Sequence, residues 1–146
     1  MPPGVVNMVP GLGHEAGQAI VDHPGIAKIA FTGSTATGKK IMRDSSVNLK
    51  RLNLELGGKN PLIICEDADF NAAVETAFNF GFNNTGQFCV QPSRIYVHEN
   101  IHDQFVEKMV HLTKTVVKVG KFDEKGVTHG PVISSPQLHK ILNYIK

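Results

Sequence analysis

The sequence has no tryptophan, only two tyrosines and only two cysteines, Cys65 and Cys89, and aromatic residues make up 7% of it. So few aromatics exclude a base-stacking platform for single-stranded nucleic acid. Charge of one sign is never concentrated: basic residues stand beside acidic ones, no basic run exceeds Lys39-Lys40, and the formal net charge is +2. The clustered basic face of a nucleic-acid binder is therefore missing too. No apolar run approaches the roughly 20 residues that a membrane span needs. The opening, MPPGVVNMVPG, has neither a charged leader nor the apolar stretch of a signal peptide. These absences predict a cytoplasmic setting without nucleic-acid or membrane partners. Two cysteines could pair, but without a secretory leader they are more often free thiols in a reducing compartment.

What is present is a folded, loop-punctuated composition, 41% apolar and 19% charged, with 14 glycines and 8 prolines in 146 residues. That length suits one domain of ordinary size or a piece of a longer chain. Short runs of β-formers alternate with helical patterns: VVNMV at 5–9, EAGQAIVDH at 15–23, IAKIAF at 26–31, a helix from about Thr35 to Arg43, and RLNLEL at 51–56. The alternation predicts βαβ units, a parallel sheet and the α/β fold class. Beyond Gly57-Gly58, NPLIIC at 60–65 reads as a strand covered on both faces, because it is continuously apolar. Asp69 is placed to cap a helix running to Phe80, and SRIYVH predicts a further strand. The spacing of Phe105, Met109, Leu112 and Val116 predicts a helix from Asp103 to Val119, stopped by Gly120. Pro131 and Pro136 frame a short strand or turn before a last helix from Gln137.

The stretch FTGSTATGKK, Phe31–Lys40, contains Gly33, four residues, Gly38 and Lys39, the first seven positions of a triphosphate-binding loop. The eighth must carry a hydroxyl to ligate magnesium, and Lys40 cannot do so. What remains is a strand, a glycine, and Ser34 or Thr35 as cap of a helix whose N-terminus suits an anion. An ordinary glycine-containing strand-to-helix turn explains the local pattern equally well. PGLGHEAG, with Gly11, Gly13 and Gly17, misses the GxGxxG dinucleotide fingerprint by one residue.

HENIH, His98–His102, fits the HExxH zinc pattern literally, but that chemistry needs both rings on one continuous helix. With β-favouring RIYV before it and Asn100 inside it, the segment predicts a strand end followed by a loop, and no metal site. Cys89 lies in the polar, turn-rich FNNTGQFCVQP, with no amphipathic period to bury it, and is a nucleophile candidate. Cys65, closing an apolar run, reads as a packed core residue. Glu55 stands amid leucines in LNLELGGKNP; a carboxylate there is at a surface, paired, or kept partly protonated by desolvation, the last being how a general base is tuned.

Taken together, FTGST, LELGGKNP and GQFC followed by SR closely resemble the aldehyde dehydrogenases in kind and order, with Glu55 and Cys89 34 positions apart (89 − 55). The resemblance extends through HPGIAKIAFTGS to GPVIS and so covers essentially the whole chain. It implies that residues 1–57 are the C-terminal half of an NAD(P)-binding domain with a parallel sheet. Residues 58–146 are then the N-terminal part of an α/β catalytic domain that carries the thiol.

The resemblance further implies that Cys89 is the catalytic nucleophile and Glu55 the general base for thioester hydrolysis. Thr32, Gly33, Ser34 and Gly38 match cofactor-binding positions for NAD or NADP. The implied partners are a small aldehyde substrate and, in the full-length family, further copies of the chain. CVQPSRIYVHENIHDQFVEK is most similar to the succinate-semialdehyde branch. Gln91 departs from the small residue or asparagine usual two positions after the cysteine, which points to an altered substrate-channel wall, and Thr37 departs from the larger apolar residue usual against adenine. Family enzymes are around three times longer, so the resemblance implies a fragment or truncated form, inactive as an isolated chain. The alternative is a noncatalytic interaction module that retains part of the fold and pairs through open sheet edges.

Overall fold

Strand β1 (Lys28–Thr32) forms where the sequence alternates: Ile29 is buried and Phe31 half-buried, while Lys28, Ala30 and Thr32 face out. A computed structural model describes all residues, Met1–Lys146, in two units, Met1–Gly57 and Gly58–Lys146. In the first unit a turn of π-helix (Gly13–Gly17) leads into α1 (Gln18–Asp22), then β1, α2 (Thr35–Ser45) and β2 (Arg51–Glu55). The strands β1 and β2 are parallel, in register from Lys28 opposite Arg51 to Thr32 opposite Glu55. Val21, Ile29 and Ile41, one from each packed element, form the core, with Ile26, Phe31, Leu52 and Leu54 around them.

The return from α2 to β2 is made by Leu49, in left-handed conformation (φ 55°), and by Lys50, which is buried. The Lys50 ammonium donates to the carbonyls of His23 (2.6 Å) and Ile26 (2.7 Å), so the loop before β1 is pegged to the start of β2.

In the second unit β3 (Asn60–Ile64) and β4 (Pro92–Val97) are also parallel, with a register irregularity between Asn60 and Pro61. The irregularity has a chemical cause: Pro61 and Pro92 lack the N–H that regular pairing would require. Helix α3 (Phe70–Phe82) and helix α4 (Glu99–Val116) pack on this pair, burying Ile64, Val74, Ala77 and Phe105. Asp69 caps α3 as expected, its carboxylate accepting the Ala72 N–H at 3.0 Å. Helix α5 (Ser135–Ile145) buries no residue. No helix is long and apolar enough to cross a membrane.

Several sequence expectations are corrected. VVNMV forms no strand, and Val5, Val6, Met8 and Val9 are exposed, because β-forming side chains make a strand only where another backbone pairs with them. β3 is covered on one face only: Ile64 is 4% exposed and Ile63 71%. Cys65 is exposed rather than packed. Helix α4 begins at Glu99, not Asp103, because the His98 ring accepts the Asn100 N–H and caps it; it ends at Val116, before Gly120. Pro136 lies inside the first turn of α5, capped by Ser134, where its missing N–H costs nothing.

Candidate active site

The carboxyl ends of β1 and β2 gather most of the residues singled out in the first unit. Thr32 ends β1 directly opposite Glu55, and the Gly33 N–H donates to the Glu55 carbonyl at 3.0 Å. A Cβ on Gly33 would fall 2.5 Å from Phe31 Cζ, so glycine is what lets the chain leave the strand beneath that ring. Ser34 caps α2: its hydroxyl accepts the Thr37 N–H at 3.2 Å and lies 2.8 Å from Thr37 Oγ1. The arrangement directs the positive end of an 11-residue helix beyond the sheet. Glu55 is exposed, the first of the three states open to it. Gly38 is different. It is buried one turn into α2, and a Cβ there would meet the Leu56 methyls at 2.6 and 2.8 Å, so it serves close packing of helix against chain.

Beside these residues a cavity of about 560 Å³ opens between the π-turn, α1, β1 and α2, lined by His14, Gln18, Val21, Thr37 and Ile41 among others. Gly13 and Gly17 of the imperfect glycine fingerprint also line it. Two of its lining residues, Gln18 and Lys40, belong to a polar clasp. Lys40, the residue that breaks the triphosphate motif, donates to Gln18 Oε1 and, at 2.7 Å, to the Asp44 carboxylate. Gln18 Nε2 donates to Asp44 at 3.2 Å, and Arg43 Nε at 2.9 Å. The Lys40 ammonium foremost, then Arg43, hold the Asp44 carboxyl well below the usual carboxylate range, against the opposing effect of partial burial.

In the second unit Cys89 is exposed and unpaired on a turn in which the Gln91 N–H donates to the Phe88 carbonyl at 3.3 Å. The turn follows three successive residues in left-handed conformation, Asn84 (φ 52°), Thr85 (φ 56°) and Gly86 (φ 70°). A β-branched residue rarely adopts that conformation, and such strain collects at functional sites. The Asn60 amide donates to the Cys89 carbonyl (2.6 Å) and the Gln91 carbonyl (2.9 Å), while Gln91 Nε2 donates to the Gly81 carbonyl (2.6 Å). Gln91 is thus turned toward α3. Asn60 was missed by sequence reasoning, although it stands inside the quoted LELGGKNP; an asparagine beside a proline carries no local signal of a bond 29 residues away.

The HENIH histidines do not converge on one helix. His98 caps α4 and His102 lies within its first turn, 2.9 Å from Asp103, which corrects the expected loop.

A parallel βαβ unit with a capped helix at its carboxyl edge, followed by a second parallel pair that presents an exposed thiol, defines an α/β protein. The chain belongs to the aldehyde dehydrogenase family, whose description matches residues 1–146. It is 48% identical to the chloroplastic betaine aldehyde dehydrogenase of Atriplex hortensis over 145 residues, 99% of this chain and 29% of that protein. It is 49% identical to retinaldehyde dehydrogenase 3 of Homo sapiens over 146 residues, 99% of this chain and 28% of the relative. An NAD+ complex of aldehyde dehydrogenase from Bacillus cereus superposes with a TM-score of 0.91 at 49% identity, covering 99% of this chain and 29% of that one. The chain therefore spans less than a third of the length of these relatives.

Proposed function

We propose that this chain is the central portion of an enzyme that oxidises an aldehyde to a carboxylic acid with NAD(P), Cys89 carrying the acyl group. The observation that carries this reading is the thiol itself: Cys89 sits exposed on a strained turn held by side-chain amides, where a reacting carbon has access. The Cys89 thiolate attacks the aldehyde carbon, and the resemblance gives the backbone N–H of Cys89 the role of donor to the oxygen that becomes negative. When bound, NAD(P) supplies the acceptor for the hydride that leaves that carbon, and the acyl group remains on sulfur as a thioester. Glu55 takes a proton from the water that attacks the thioester; the acid departs and the thiolate is restored.

For the cofactor, the residues of the first unit fit. A cavity of about 560 Å³ with an apolar floor suits a planar heterocycle. The capped N-terminus of α2, with Thr32, Gly33 and Ser34 before it, suits phosphate. Gly38 contributes indirectly, by letting α2 lie against Leu56. The substrate is proposed only as an aldehyde, with the succinate-semialdehyde likeness of residues 89–108 as its finer form. Relatives named for betaine aldehyde and retinaldehyde match at 48% and 49%, so overall identity does not favour one substrate. Assembly with further copies of the whole enzyme is proposed on the same footing.

Because Cys65 and Cys89 are both exposed, their rates of alkylation compare reactivity rather than access. With iodoacetamide at neutral pH, followed by peptide mass spectrometry, Cys89 is expected to react about tenfold or more faster than Cys65, as a nucleophile does beside an ordinary surface thiol. Equal rates would remove the nucleophile from the proposal.

A further inference from the structure

We infer that Asn60 and Gln91 are positioning residues that clamp the Cys89 turn from its two sides, a role that rests on Cys89 being the nucleophile. One side-chain amide of Asn60 donates to two carbonyls, those of Cys89 (2.6 Å) and Gln91 (2.9 Å), so it spans the turn and fixes the peptide planes that join Cys89 to Val90 and Gln91 to Pro92. Asn60 can do this because it opens β3, where the register irregularity before Pro61 leaves its side chain alongside Pro92 and the incoming turn. The second jaw is Gln91, whose backbone carbonyl accepts from Asn60 while its own amide reaches back to the Gly81 carbonyl at 2.6 Å. The turn is thereby tied to the last part of α3 as well as to the start of β3.

Gly86 makes room for this second jaw. Its φ of +70° suits glycine, and a Cβ there would stand 2.9 Å from Gln91 Nε2. Gln91, which by resemblance falls on the channel wall, thus has its amide committed to the backbone. Two side-chain amides, through three hydrogen bonds, do for this nucleophile what a packed core does elsewhere: the thiol is exposed, so apolar contacts are not available to orient it.

The test uses the full chain with a nitroxide label on a single cysteine, either Cys89 in a Cys65→Ser background or Cys65 in a Cys89→Ser background. Label mobility is read by electron paramagnetic resonance. Asn60→Ala and the near-isosteric Asn60→Asp, which keeps the shape but removes the donor, are both expected to shorten the correlation time at position 89 about threefold or more. Position 65 is expected to be unchanged. Gln91→Leu is expected to give a smaller change of the same kind, at position 89 alone.

Unchanged mobility at position 89 in the Asn60 variants overturns the clamp. Equal mobilisation at both positions also overturns it, because that is the mark of general loosening. The measurement does not depend on whether Cys89 is the more reactive thiol, so its failure is distinguishable from failure of the nucleophile assignment.

Discussion

Asp44 shows how one residue can make the first unit sensitive to acid. Its carboxylate accepts from Lys40, Arg43 and Gln18, and the two cations hold its protonation below the ordinary value of 3.8. A carboxyl with a depressed folded-state pKa contributes stability above the unfolded value and loses it as pH falls toward the folded one. Asp44→Asn is therefore expected to lower the thermal midpoint at pH 7 and to flatten the fall in midpoint below about pH 4. Melting curves by circular dichroism at pH 7 and pH 3, at low and high salt, check this. A variant with the same acid slope as the native chain would contradict it. The clasp was not legible in the sequence: Lys40 could be dismissed as a magnesium ligand, but its partner Gln18 lies 22 positions away and is brought near only when α1 packs on α2. The Ser34 cap, by contrast, is a local device that ends three positions on at Thr37, and it was legible for that reason.

At the scale of elements, β3 separates periodicity from burial. Ile63 and Ile64 are neighbours of nearly equal hydrophobicity, yet one faces out at 71% exposure and the other lies in the core at 4%. Ile63→Thr is expected to stay within about 0.5 kcal/mol of the native chain. Ile64→Thr is expected to cost about 2–3 kcal/mol, because it removes buried methyl contacts and buries a hydroxyl. Urea denaturation of the two variants makes the comparison, and equal losses would mean that both faces are covered. An unbroken apolar run made the strand itself readable, since its length and β-branched content sufficed. It could not say whether a second layer covers the far side, because that depends on chain outside the strand. VVNMV failed for a related reason: it has strand chemistry without a neighbouring strand. The helices fared better, α3 because Asp69 announces its start, whereas the start of α4 was displaced by an unforeseen histidine cap at His98.

For the whole chain, the notable quantity is apolar surface left uncovered. Each sheet has only two strands, so every strand keeps an unpaired edge, and isolated strand pairs of this kind are marginal without further layers. Phe122, Ile133 and Tyr144 are at least 80% exposed. Such edges and side chains favour pairing with other copies. Sedimentation velocity over a range of micromolar concentrations is expected to show species heavier than the 15.9 kDa chain, increasing with concentration. A single 15.9 kDa species throughout would contradict this. The family itself was legible from three short motifs, because one joins a glycine turn to a helix cap and the other two join glycines to a candidate reactive side chain, Glu55 or Cys89. How those motifs are supported was not, since Asn60 and Lys50 act through carbonyls that carry no sequence identity.

The interior ammonium of Lys50 has one further consequence. Every other lysine of the chain is exposed, whereas this nitrogen has two carbonyl oxygens already holding its hydrogens. Acylating reagents that modify the free amines of the folded chain must therefore wait at this position for the peg to withdraw, which makes Lys50 a slow chemical clock for the opening of the first unit.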